Sequence, residues 1–146
     1  MVFRMNALVP ELSVSDINKS LNFYLNILLF KLEYQRPEDK FALLSLDDCQ
    51  IMIEEINDYW KTGELSYPFG RGINFQIVVN NSNELYENVR IHQYPIKIEI
   101  QDNWYRADTK LIGQKEFLIV DPDGYLLRFA QNLGEREYEE DPVVGE

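Results

Sequence analysis

Cations, cysteine and histidine are scarce in this sequence, and each shortage excludes something. Its 146 residues include 14 Lys or Arg against 25 Asp or Glu, a formal charge of −11. Nucleic-acid backbones are bound by clustered cations that displace counterions, so nucleic acid is not an expected partner. An anionic bilayer surface repels such a chain for the same reason. Cys49, the single cysteine, has no mate for a disulfide, which fits a reduced, cytoplasmic protein in which it acts as a small apolar residue. His92, the single histidine, falls at the end of a predicted helix, so no Ser-His or Cys-His couple can be assembled. No apolar run exceeds four residues, whereas a membrane span needs about 20. The opening MVFRMNALVPELS lacks the apolar stretch and small-residue cleavage site of a secretory leader. P-loop, dinucleotide-type glycine and zinc spacings are also missing.

What is present is enough for a core: 45% hydrophobic and 13% aromatic residues in a length that suits one domain. Leu8 to Val14 reads as a strand, Ser15 or Asp16 as a helix cap, and Ile17 to Ile27 as a helix with Ile17, Leu21, Tyr24, Leu25 and Leu28 on one stripe. Strands follow at 31–35, 41–46 and 50–55. Residues 56–72 have the Asn, Asp, Gly and Pro content of a connector. The order then restarts. A strand at 73–79 leads into a helix at 82–91 that Asn81 and Glu84 cap, followed by strands at 96–100, 115–120 and 125–131, with a polar and aromatic loop at 101–113. Asp121-Pro122-Asp123-Gly124 is a tight turn. A shift of 65 residues lays Val14-Ser15-Asp16 on Val79-Asn80-Asn81, which together with the repeated element order predicts an internal duplication. The expected fold class is α+β: two tandem βαβββ modules forming a curled mixed sheet with a concave groove. One domain is expected over 1–133, with module one at about 7–55, the connector at 56–72 and module two at about 73–133. Residues 134–146 read as an acidic, flexible tail.

The V-S-D junction ahead of a helix ending in Phe23-Tyr24, the joint Gly70-Arg71-Gly72, and the segment Asp121 to Leu127 resemble the vicinal-oxygen-chelate superfamily. Trp104-Tyr105-Arg106, Gly113, Glu116-Phe117 and the D-P-D-G turn are similar to its bleomycin-resistance-type branch. The likeness spans about residues 7–133. It implies the paired-module fold, and it leaves function open, because one fold hosts isomerases, dioxygenases, thiol transferases and metal-free drug binders. The superfamily's enzymes hold a divalent metal with His, Glu or Gln. The resemblance places those positions at Val9, near Met52 or Glu54, at Asn74 and at Arg128. Val9 has no donor, Asn74 is a weak neutral ligand, and Arg128 carries the wrong charge, so neither a metal nor any other cofactor is expected.

Strand alternation leaves Glu11, Asn74, Gln76 and Arg128 on the parity of those positions, with Glu54 joining if Met52 faces inward. Glu11 and Gln76 are equivalents under the 65-residue shift and are expected to meet near the pseudo-twofold axis. Phe41, Trp60, Trp104 and Tyr105 are the aromatic candidates beside them, with Phe75 a further one. The resembled drug binders are acidic dimers that sequester cationic glycopeptides. The implied function is capture of a cationic, partly aromatic small molecule by a homodimer, without catalysis. One carboxylate about 4 Å from a ligand cation contributes on the order of 4 kcal/mol at an effective dielectric near 20, before desolvation. The alternative is a divalent-metal lyase, isomerase or dioxygenase of the same superfamily, using Glu11 or Glu54 as a displaced ligand.

Overall fold

The computed structural model describes residues 4–139. Asp16 starts the first helix: its side chain accepts from the backbone N–H of Asn18 and Lys19, which the first turn would otherwise leave orphaned. Helix α1 (Ile17–Asn22) then passes into a π-helical turn at Phe23–Ile27. The wider turn holds one residue more than an α-turn, so consecutive Phe23 and Tyr24 are both buried together with Leu28. Around this helix lie β1 (Glu11–Val14), β2 (Lys31–Arg36), β3 (Phe41–Leu46) and β4 (Cys49–Glu55), ordered β1-β4-β3-β2.

The second module repeats the plan. Strand β5 (Asn74–Val78) leads into α2 (Ser82–Ile91), capped by Asn81, whose Oδ1 accepts from Glu84 N–H at 3.0 Å. Strands β6 (Ile98–Ala107), β7 (Lys110–Val120) and β8 (Leu126–Glu137) complete a sheet ordered β5-β8-β7-β6. In each sheet the first strand runs parallel to the last, and the other pairs are antiparallel. The result is two four-stranded mixed sheets from two βαβββ units, with no closed barrel.

The first strand begins at Glu11 and not at Leu8, and two longer segments also differ from the sequence reading. Residues 101–113, expected as a loop, are the continuous strands β6 and β7, joined by a turn at Asp108 and Thr109. Their alternation is hidden in the sequence because much of this ribbon is exposed on both faces. Residues 134–137, assigned to the tail, extend β8 and pair with β7 from Lys110 to Gly113. The remainder of that predicted tail, 140–146, lies outside the described residues.

One core serves both modules. Leu12, Val14, Ile51 and Ile53 from the first sheet join Ile77, Phe117, Ile119, Leu127 and Phe129 from the second, with both helices between. The modules are tied on this side. Phe23 packs on Tyr94, the Tyr24 hydroxyl donates to Asp121 at 2.7 Å, and Asn88 donates to the carbonyls of Asn26 and Ile27. The D-P-D-G turn is the main clamp. Asp123 accepts from Ser15 N–H, the Tyr125 hydroxyl reaches the Ser13 carbonyl, and Asp121 accepts from the N–H of Asp123 and Tyr125. Gly124 has φ +102°, and a Cβ there would lie 2.5 Å from Pro68 Cα, so both backbone angle and space require glycine.

Candidate functional site

Because successive strand residues point to opposite faces, the positions that do not enter the shared core define a second face on each sheet. On the first sheet this face holds Glu11 opposite Met52, Leu43 opposite Met52 from the other side, and Phe41 opposite Glu54. Glu11 has its carboxyl pushed up, first by burial and then by Glu54, with Arg36 opposing. Phe41 is buried beneath the Arg36 guanidinium, 4.0 Å from the ring centroid. Glu54 accepts from Asn57, whose own Oδ1 accepts from the backbone N–H of Tyr59 and Trp60. Trp60 stands in the connector, 58% exposed and edge-on to Tyr59.

The second sheet presents a different set. Gln76 pairs in register with Arg128, and Arg128 Nε donates to Asn74 Oδ1 at 2.8 Å. Two of the superfamily's metal positions are therefore adjacent, but one is a cation and the other has its oxygen engaged by that cation. Val9 supplies no donor. With Glu54, the carboxylate near the fourth position, engaged by Asn57, these residues do not make up the donor set of a divalent metal. Among the described residues, no group of three or more His, Cys, Asp or Glu is arranged to hold a metal ion. Gln76 also lines a cleft of about 280 Å³ with Pro10, Cys49, Phe75 and Val78.

A residue that the sequence offered only as part of the family-like motif, and not as a site residue, is central here. Glu116, on β7, is 2% exposed. Its Oε1 accepts from Asn103 Nδ2 at 2.9 Å and from the Tyr105 hydroxyl, while Oε2 has no partner. Donation to Glu116 is the main reason that the Tyr105 hydroxyl is held above its ordinary pKa. Glu116, Tyr105, Asn103, Gln101, Leu118 and Arg128 surround a cleft of about 370 Å³. The available signal was a lone carboxylate opening the otherwise apolar run Glu116 to Val120, on the strand parity opposite Phe117 and Ile119.

Trp104 also lines this cleft, although strand alternation turns its side chain and that of Tyr105 to opposite faces of the ribbon. Tyr105 reaches Glu116, whereas the Trp104 ring lies over Gly113, 2.6 Å from where a Cβ would be, with the Arg136 guanidinium 4.1 Å from the ring centroid. Cys49 and His92 lie apart from this cleft. Burial pushes the Cys49 thiol up to about 11, which leaves it unreactive near neutrality. His92 is exposed at the end of α2, with Nδ1 2.8 Å from the Asn88 carbonyl.

No family model matches the chain. It is similar to the bleomycin resistance protein of Geobacillus stearothermophilus, 29% identical over 140 residues, which covers 86% of this chain and 96% of that protein. It is 34% identical to a glyoxalase/bleomycin resistance protein/dioxygenase superfamily member from Vibrio splendidus 12B01, covering 86% of this chain and 97% of that one. The TM-score of that pair is 0.40. TioX from Micromonospora sp. ML1 has the same fold, with a TM-score of 0.66 at 17% identity over 88% of this chain and all of that one. No helix among the described residues is long and apolar enough to cross a membrane. The paired βαβββ sheets and the D-P-D-G clamp accord with the likeness in sequence to bleomycin resistance proteins, and together they support the vicinal-oxygen-chelate superfamily for this chain.

Proposed function

We propose that this protein binds and sequesters a cationic, partly aromatic small molecule, in the manner of a bleomycin resistance protein and without a metal. The observation that carries this reading is Glu116: a carboxylate removed from water, with one oxygen unsatisfied, on the wall of an open cleft. Leaving such an oxygen unpaired is expensive, and a ligand N–H donor relieves it. Tyr105 offers an aromatic surface beside it, and the net charge of −11 draws cations toward the protein. Asn74, Gln76 and Arg128 would complete the polar wall. In a homodimer, the face bearing Glu11, Phe41 and Glu54 on a second copy would supply an opposing wall, with Trp60 at its margin.

The test is titration with bleomycin, followed by calorimetry and tryptophan fluorescence, on protein treated with chelator. Micromolar binding, modestly weakened by added salt, is expected, because the long-range attraction of a −11 chain for a cation is screened while the buried Glu116 contact is screened little. Glu116→Gln is expected to weaken it about 10- to 100-fold, the value of one hydrogen bond to a charged group. Absence of binding to high micromolar concentration refutes the reading. Binding that appears only after a divalent metal is restored refutes its metal-free form.

A further inference from the structure

The cleft on the second sheet holds two unmet valences of opposite sign. Glu116 Oε2 has no donor. Arg128 has only its Nε engaged, by Asn74, and its two Nη groups make no hydrogen bond or ion pair among the described residues. The pair are close enough to invite a bridge. Register places Glu116 opposite Ala130 and Leu118 opposite Arg128, so the two charged residues are diagonal neighbours on one face, with backbones on the order of 7–8 Å apart.

They do not bridge because each is tethered away from the other. Asn74 on β5 draws the guanidinium toward one side of the sheet, while Asn103 and Tyr105 on β6 hold the carboxylate toward the other. The space between is the cleft of about 370 Å³, with Leu118 and Ile98 as apolar surface. That volume suits a small organic guest.

Resting on the binding function proposed for this face, we infer that the group recognised there is a zwitterion of the amino-acid type: an ammonium that donates to Glu116 Oε2 and a carboxylate that accepts from the free Nη groups of Arg128. A simple cation entering the cleft gains Glu116 but stands beside an uncompensated guanidinium. A simple anion has the converse problem. Only a ligand carrying both signs in this order satisfies both residues, and a planar carboxylate matches the guanidinium fork. Tyr105, 43% exposed, donates to Glu116 Oε1, which leaves Oε2 as the oxygen for the ammonium.

Three probes with one aromatic body separate the contributions: L-phenylalanine with both charges, phenethylamine with the ammonium alone, and 3-phenylpropanoate with the carboxylate alone. Titrated into the unmodified chain and read by amide chemical shifts, L-phenylalanine is expected to bind about ten-fold or more tighter than either relative, as charge-assisted hydrogen bonds at both ends require. Arg128→Met should bring L-phenylalanine down to the level of phenethylamine, and Glu116→Gln should remove its advantage over 3-phenylpropanoate. The wild-type comparison is decisive even if a variant fails to fold. Equal binding of L-phenylalanine and phenethylamine overturns the inference, as does bleomycin binding with no probe bound; both leave the sequestration reading standing. L-Phenylalanine binding without bleomycin binding supports the inference and refutes capture of that drug. Failure of every ligand overturns both.

Discussion

Phe41 in the first module and Glu116 in the second occupy the same place in the same frame. Register makes this explicit: Leu43 and Phe41 face Met52 and Glu54 on β4, as Leu118 and Glu116 face Arg128 and Ala130 on β8. Glu11 and Gln76 likewise sit opposite Met52 and Arg128. One lattice therefore carries two contents. In module one the buried place holds a phenyl ring roofed by Arg36, an arrangement with little left to satisfy. In module two it holds a carboxylate with an idle oxygen, and the position of a methionine has become an arginine. The same scaffold occurs twice, and its second copy has put a buried carboxylate with an idle oxygen where the first has a phenyl ring.

The largest effect that would break this comparison is expected at Phe41. Phe41→Ala should lower unfolding free energy by about 3–5 kcal/mol in urea denaturation, the usual loss for a buried aromatic. A much smaller loss would mean that the first outer face is not a packing surface. Next is the extended ribbon that only the second module possesses. Gly113→Ala forces a methyl into the Trp104 ring, so about 1–3 kcal/mol of destabilisation is expected, with a shifted Trp104 emission as the second readout.

Smaller, and opposite in sign between modules, are the pH effects of Glu55 and Asp121. Glu55 is held below the usual carboxylate range by the Ile17 N–H and then Lys40. Its stabilisation is present above its unfolded pKa and is lost as pH falls through the folded value. Asp121 is raised, chiefly by burial, against the donors that favour its charge. Its contribution is full below its unfolded pKa and declines as pH rises through the folded value. Thermal melts across the acid range should therefore show the penalty of Glu55→Gln growing with pH and that of Asp121→Asn shrinking. Parallel trends would refute the assignment.

The smallest stability change is expected where function should change most. Glu116→Leu removes the idle oxygen but also the acceptor of Asn103 and Tyr105, both of which reach solvent, so the net loss of stability should stay within about 1–2 kcal/mol. Ligand titration should show binding abolished. A loss comparable to that of Phe41→Ala would make Glu116 a structural residue.

The sequence made the scaffold legible where the governing interactions are local. Asp16 and Asn81 cap the helices they were expected to cap, and the D-P-D-G turn lies where Pro and Gly put it. The cleft was less legible because it depends on partners distant in the chain. Trp104 and Tyr105 read as neighbours in a loop, yet strand pairing with Gly113 and Ile112 sends them to opposite faces. Glu116 stood out only as part of the family-like pair Glu116-Phe117; its place in the cleft comes from Asn103 and Tyr105 across the hairpin and from Arg128 on the next strand. No periodicity within a single segment encodes that meeting.

The position of β8 bears on how the molecule comes into being. In each half the opening strand lies at the sheet's edge beside the closing strand, which occupies an interior place. On the ribosome, the first half can pair all four of its strands once Glu55 has emerged. The second must hold β5 unpartnered, with α2 already made, until the stretch from Leu126 onward is released. Arg128, one wall of the cleft, arrives in that final instalment. The cleft is therefore completed only after the other strands of its sheet have been made, and a polypeptide stalled before β8 would display an open sheet edge in its place.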